Sequence, residues 1–369
     1  MNKTMKAVVA TVFALTSTFA MTSTAGASAP SVKNNDKCLK SQYGKTTKTK
    51  SISYKCTYSS KTKKYTWQKV ATVATTIPVI DLAKLDKTGW PKKLIIGGVP
   101  AENVTTMQTK WNGLINLLQD ELGIPVEFYP ATSYAGVIEA SIAKKVDVVA
   151  WGGMSYIVSK LNGAKIEPIG ISKYTDGTTS YTSKLIVPTG SSIATIAGLK
   201  GKTVCFVSST STSGNLIPTE GILAAGLKMS DLTQTFKGTH DNSVLGLGSA
   251  QCDAAFAQEA TVAAIGTGTL SGMNKADYKT IWESGPIPNG PFTISSVLPA
   301  SFRAAVKNIM YTKMNKEYFV TKGYNGCTVV ATCIIVEDAK TASFIQVEDS
   351  FYDTLRKVCE ATKSSSCKA

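Results

Sequence analysis

From Lys92 onward, short apolar runs alternate with segments that repeat apolar residues every three or four positions. That alternation leaves few architectures open, because each strand must be flanked by others and the sheet covered by the helices between them. Leu94–Ile96 reads as a strand. Val104 to Leu122 reads as a helix, with Met107, Trp111, Leu114, Leu118 and Leu122 on one stripe, Asn103 to cap it and Gly123 to end it. Pro125 to Tyr129 is a second strand, Thr132-Ser133-Tyr134 starts a helix to about Lys144, Val146 to Trp151 is a third strand, and a further helix runs from Ser155. Residues 166–187 hold two more strand candidates, with Tyr174 and Tyr181 between them. A second unit of the same kind opens at Lys202–Val207, and strands ending near Thr239 and at Cys252–Gln258 follow. The expected fold is α/β: two open, mostly parallel-sheet lobes with their polar loops face to face across a ligand cleft. Ligands of such sheets bind beyond the carboxyl ends of the strands.

One of those loops stands out. Ser208 to Asn215 contains six hydroxyl residues and Gly214, between an apolar strand and a helix from Leu216 to Ala225 that Gly226 ends. The first N–H groups of a helix lack intrahelical partners, and the helix dipole places partial positive charge there. Hydroxyls at such a terminus make a neutral cradle for a tetrahedral oxyanion. An ordinary helix cap in a Ser/Thr-rich loop is the plainer alternative.

The ends of the chain are different in character. Residues 1–27 have the pattern of a secretory signal: Lys3 and Lys6, the apolar stretch Ala7–Met21, and Ala25-Gly26-Ala27 as a cleavage site. No Cys lies near that site, so no lipoprotein anchor is expected. The location expected is secreted, extracellular or attached to the cell envelope. Eight cysteines, an even number, suit an oxidising compartment. Of the formal charge of +15, residues 31–70 carry +10, from eleven Lys and Asp36, and the two signal lysines a further +2. The rest of the chain is left with an ordinary +3. The high isoelectric point therefore describes a small basic module, residues 28–70, in which Cys38 and Cys56 bracket lysines interleaved with Tyr54, Tyr58, Tyr65 and Trp67. The partner that pattern suits is an acidic wall polymer or lipid surface; nucleic acid is not expected behind a signal peptide. Residues 71–91 are a linker, 92–183 the first lobe, 184–283 the second, and 284–369 the return crossing and the C-terminal part of the first lobe. His240 is the single histidine, so zinc or multi-histidine chemistry is not expected, and no cofactor is.

Several short motifs occur in an order that points to a family. They are Gly97-Gly-Val-Pro-Ala-Glu102, Tyr134-Ala-Gly-Val-Ile-Glu-Ala140, Val146-Asp-Val-Val-Ala-Trp-Gly-Gly-Met-Ser-Tyr156, Ser211-Thr-Ser-Gly-Asn-Leu-Ile-Pro218, Gly238-Thr-His-Asp241 and Ser284-Gly-Pro-Ile-Pro288. From about Lys92 to Lys313 the chain resembles the phosphate/phosphonate-binding proteins of ABC transporters, which have a type II periplasmic-binding-protein fold. The resemblance implies a small phosphorus oxyanion as ligand and an ABC permease as partner. It implies that Ser211, Thr212 and Ser213 hold the anion, that Tyr134 and Tyr156 close the pocket from the first lobe, and that His240 and Asp241 face the ligand. The family more often has Asp-Pro at Ser208-Ser209, an aromatic at Asn215 and Pro at Gly153. Gly290, near the place of one carboxylate that holds a ligand ammonium in some members, has no side chain to offer, and Glu259 is the candidate for another. A short alkylphosphonate, phosphite or phosphate is therefore expected in preference to aminoethylphosphonate.

An enzyme is the competing class: a hydrolase of phosphate or phosphonate esters with Ser211 as nucleophile and His240 as base. A wall-associated scaffold with a vestigial cleft is a third. A monomeric receptor is the reading adopted. The crossings near Thr182–Lys184 and Ser284–Pro291 are its expected hinges. The expected disulfides are Cys38–Cys56, Cys205–Cys252 between neighbouring strands, and the short-range pairs Cys327–Cys333 and Cys359–Cys367.

Overall fold

The computed structural model describes residues 32–42, 46–49, 52–59, 63–69, 80–337 and 339–367. Residues 1–27, expected to be a signal peptide, and residues 71–79 of the linker lie outside the described residues. Contacts divide the chain into two compact units, 1–70 and 71–369.

In the first unit, β1 (Thr46–Thr49), β2 (Ile52–Ser59) and β3 (Lys64–Lys69) form an antiparallel sheet in the order β1-β2-β3. Its core is Tyr54, Cys56 and Trp67, with Val32, Cys38 and Tyr65 packed against them. So small a core buries little apolar surface, and the Cys38–Cys56 disulfide supplies the constraint it lacks. The rings of Tyr58 and Tyr65 lie 4.7 Å apart.

In the second unit the elements run β4 (Leu94–Gly98), α1 (Val104–Leu122), β5 (Val126–Phe128), α2 (Tyr134–Ile142), β6 (Val148–Ala150), α3 (Gly153–Leu161), β7 (Ile166–Tyr174), β8 (Ser180–Tyr181), β9 (Ser183–Pro188) and β10 (Thr203–Phe206). After them come α4 (Ile217–Ala224), β11 (Thr233–Phe236), α5 (His240–Gly248), β12 (Ala254–Gln258), α6 (Glu259–Ala263), β13 (Tyr278–Glu283), β14 (Ile287–Pro288), β15 (Phe292–Ser295), α7 (Ala300–Lys313), α8 (Lys316–Lys322), β16 (Thr341–Gln346) and α9 (Asp353–Thr362). Two sheets result. One has the order β16-β7-β15-β6-β4-β5, the other β11-β10-β12-β9-β13. Both are mixed. The pairings β4–β5, β4–β6, β10–β11 and β10–β12 are parallel, whereas the strands that return from the crossings pair antiparallel.

Side-chain alternation explains why each sheet is covered on both faces. Leu94, Ile96, Val148 and Ala150 pack with Trp111, Leu114 and Leu118 of α1 and with Phe302 and Ile309 of α7. Val149, from the opposite face of the same sheet, packs with Val137, Ile157 and Leu355. In the second sheet Val204 and Phe206 face one way and Cys205 the other. A period of two along the strand puts alternate residues on opposite faces, and each such Leu, Ile or Phe contributes about 1.5–3 kcal/mol on burial.

The chain passes between the sheets through β8 and returns through β14, and these two short strands pair antiparallel. The crossings also bond directly: Ser183 N donates to Ser284 Oγ at 2.9 Å, and Ser284 N to Ser183 O at 2.9 Å. Cys205–Cys252, Cys327–Cys333 and Cys359–Cys367 are all bonded, as expected. No helix among the described residues is long and apolar enough to cross a membrane.

Candidate functional site

A cleft of about 780 Å³ lies between the two sheets, at the carboxyl ends of their parallel strands. The hydroxyl run forms one side. β10 ends at Phe206, the chain turns, and Thr212–Leu216 make a widened helical turn that leads straight into α4. Ser211 is its cap, and its Oγ accepts from Gly214 N at 3.1 Å. Gly214 is required here, since a Cβ would lie 2.3 Å from the Val207 side chain. Asn215 Nδ2 donates to Ser209 O at 2.8 Å and ties the run back on itself.

Of the seven residues expected at the site, six line the cleft: Tyr134, Ser211, Thr212, Ser213, His240 and Asp241. Tyr134, the first residue of α2, reaches from the other lobe to bond Ser211 through its hydroxyl, and burial holds its pKa above the ordinary tyrosine value. Thr212 Oγ1 accepts from Met154 N at 2.9 Å, again between lobes. Ser183 Oγ donates to Ser213 O at 2.6 Å and fixes the turn from behind.

His240 is the first residue of α5, which Thr239 caps by accepting from Asn242 N. The His240 N–H donates to Ala101 O of the first lobe at 2.9 Å. The ring is 3% exposed, and its Nδ1 accepts from Gln258 N at 3.1 Å. Burial lowers its pKa to about 3. The ring is therefore neutral, with its proton on Nε2, and can act only as a donor there. Asp241 Oδ2 accepts from Thr269 Oγ1 at 2.6 Å.

The seventh residue, Tyr156, does not reach the cleft. It is fully buried in the first lobe, its ring 5.2 Å from that of Tyr352, and its hydroxyl donates to Asp349. Helix α3 starts at Gly153, so Tyr156 lies a turn in, where its side chain points into the core. Tyr181 of β8 takes the place expected of it. Tyr181 lines the cleft and bonds Ser213 and Thr212, and burial pushes its pKa up to about 12. Its place between two strand candidates at the crossing was the available signal.

The expectation about carboxylates is also corrected. Gly290 indeed offers none: a Cβ there would lie 1.6 Å from Trp151 O, so only glycine fits. Yet Glu259 and Glu337 both line the cleft. Glu259 accepts from Thr182 Oγ1 at 2.7 Å and pairs with Lys340 at 3.7 Å. A ligand ammonium would find carboxylates here, and its exclusion on that ground does not stand.

Two mixed-sheet lobes, joined by paired crossings and facing each other across a cleft with a hydroxyl-rich turn on one side, define a solute-binding protein of the type II periplasmic class. The chain belongs to the family described as ABC transporter, phosphonate, periplasmic substrate-binding protein, which matches residues 96–328. It is 32% identical over 297 residues to the phosphate-import protein PhnD of Mycolicibacterium smegmatis, a match covering 76% of this chain and 89% of that one. The phosphonates-binding periplasmic protein of Escherichia coli is 28% identical over 207 residues, 54% of this chain and 60% of the relative. Among solved structures, PhnD1 of Prochlorococcus marinus in complex with methylphosphonate superposes with a TM-score of 0.63 at 19% identity, covering 74% of this chain and 99% of that one. Proteins of this family are substrate-binding components that work with an ABC permease on the outer side of the membrane.

Proposed function

We propose that this protein is the secreted, monomeric receptor of an ABC importer and captures a small phosphorus oxyanion: phosphate, phosphite or a short alkylphosphonate. The observation that carries the reading is the convergence of Ser211, Thr212, Ser213, Tyr134, Tyr181 and the neutral His240 on one cleft. None of these donors carries a formal charge, so the anion is held by hydrogen bonds and helix N–H groups and remains releasable. The names of the relatives, phosphate import and phosphonate binding, agree with this choice. Asp241 would accept a hydrogen bond from an oxyanion that keeps a proton. Inorganic phosphate keeps one at neutral pH, and a phosphonate or phosphate ester with a second pKa of about 6 keeps one for part of the time; sulfate does not. Titration calorimetry tests the reading: phosphate or methylphosphonate binds, and sulfate binding as tightly as phosphate would overturn it.

Binding rather than turnover is supported by the state of His240. The nitrogen that could accept a proton from Ser211 already accepts from Gln258 N, and the ring's basicity is greatly lowered. A general base needs a free acceptor and a pKa near the working pH. Residues 1–27 act as the export signal on this reading. The lysines of residues 33–70 attach the protein to an acidic envelope surface. Salt should release it, since the Debye length falls from about 10 Å at 0.1 M to about 3 Å at 1 M. Retention on isolated envelopes that is unchanged by deletion to residue 70 would overturn the tether.

A further inference from the structure

The cleft is larger than the anion needs. At about 30 Å³ of liquid volume per water, a cavity of about 780 Å³ has room for some two dozen waters. A bare oxyanion against the hydroxyl turn takes a small part of that. The excess is not explained by separated lobes. They already meet at Met154 N to Thr212 Oγ1 and at His240 N to Ala101 O, both 2.9 Å, and through the Lys340–Glu259 ion pair. The remaining space is a chamber beside the anion site. Met107 and Trp111 of α1 line the cleft and give it an apolar stretch of wall. Around it lie two opposite-charge pairs, Lys110–Glu102 at 2.7 Å and Lys340–Glu259 at 3.7 Å.

We propose that this chamber is a second subsite, which takes the hydroxylated carbon chain of a phosphate monoester or phosphonate. The inference rests on the phosphorus-oxyanion reading of the first subsite. The charge pairs decide the chemistry. A hydroxyl donates to a carboxylate and accepts from an ammonium, so it joins a Lys–Glu pair and leaves neither charge alone. A second anion placed against either lysine would also lie against the like charge of the glutamate paired with it. The C–H faces of a polyol chain lie against Met107 and Trp111. Pockets of this size and mixture, an apolar wall with a few placed polar groups, hold ligands of many more atoms than phosphate.

The experiment is calorimetry on the full chain with phosphate, methylphosphonate, sn-glycerol 3-phosphate and phosphonoacetate. Glycerol 3-phosphate should bind at least about tenfold more tightly than methylphosphonate, and phosphonoacetate more weakly than either. In Lys110→Met, and separately in Lys340→Ala, the ratio of glycerol 3-phosphate to methylphosphonate affinity should fall severalfold. A ratio does not depend on how much of a variant is folded. Methylphosphonate binding as tightly as glycerol 3-phosphate, or a ratio unmoved by both substitutions, would overturn the second subsite and leave the first intact. Failure of every phosphorus compound to bind would instead overturn the reading on which it rests.

Discussion

The two lobes present matching strand-to-helix turns to each other and use them differently. On the first lobe, β6 leads through Trp151 and Gly152 into α3; on the second, β10 leads through Ser208–Ser211 into the helical turn and α4. Both are helix N-termini at the carboxyl end of a parallel strand. The first is spent on the protein itself: Gly152 N donates to Ser155 Oγ, and Met154 N to Thr212 Oγ1. Its Trp151 carbonyl is pressed against Gly290. The second is dressed with hydroxyls that line the cleft. The second turn also spends a donor, Gly214 N on Ser211 Oγ, so the difference lies in the hydroxyls that Ser211, Thr212 and Ser213 add at the cleft. The strand behind the second turn is also stapled by Cys205–Cys252, whereas β6 has no disulfide.

The largest effect should come from removing that staple. Cys205→Ala with Cys252→Ala opens a loop of 47 residues' separation, which costs about 4 kcal/mol in the chain-entropy picture. Urea unfolding with a midpoint equal to the parent's would show that the second turn needs no staple. Next, Thr212→Ala and Ser213→Ala should each weaken oxyanion binding by about 1.5–3 kcal/mol, the range for hydrogen bonds to charged groups. Ser155→Ala, at the matching place on the first turn, should lower stability by about 1 kcal/mol and leave affinity alone. Equal losses of affinity at both turns, read by calorimetry, would erase the distinction between them.

The tyrosines sharpen the same contrast. Tyr181→Phe should reduce affinity, because its hydroxyl bonds the Ser213 and Thr212 side chains. Tyr156→Phe should lower the melting temperature, by losing a bond to a charged group worth about 1.5–3 kcal/mol, and leave affinity unchanged. The reverse pattern would restore Tyr156 to the site.

The last effect is graded with pH. His240 titrates near 6.5 when unfolded and near 3 when folded. Between those values the unfolded chain binds more protons, so stability is full above about 6.5 and falls with pH below it. The slope approaches about 1.4 kcal/mol per pH unit for one proton. The Asp349 carboxyl, held below its ordinary range by Tyr156, Lys160 and Arg356 against the opposing cost of its burial, loses stability in the same direction. Comparison with His240→Gln therefore isolates the imidazole. Parallel stability curves for the two proteins from pH 6.5 to 4 would refute a buried neutral ring.

How much of this was legible depended on how far each feature reaches along the chain. Helix α1 was readable to the residue, because Asn103 and Gly123 are local signals and both act: Asn103 accepts from Thr105 N, and Gly123 takes the left-handed conformation. The hydroxyl turn was readable for the same reason. The choice between Tyr156 and Tyr181 was not. It depends on where α3 starts, and a shift of two residues turns a helical side chain from cleft to core. Glu337 and Lys340 gave no sign either. They reach the cleft because β16 returns as an edge strand beside β7, a pairing set by tertiary packing with nothing local to mark it. The parallel strands were visible as apolar runs, whereas the antiparallel return of β9 and β15 depends on where the crossings lead.

The C-terminal helix α9 packs on α3 of the first lobe and on α4 of the second, and Tyr352, just before it, donates to Asn289 O on the return crossing at 2.7 Å. Asp349, anchored by Tyr156, Lys160 and Arg356, fixes its near end, and Cys359–Cys367 locks its far end. The joint between the lobes is therefore braced on its outer side as well as threaded by two strands. A brace of this kind sets the stiffness of the joint. The residence time of a captured solute should then be tunable from a helix that packs behind the hydroxyl turn and contributes no residue to the cleft wall.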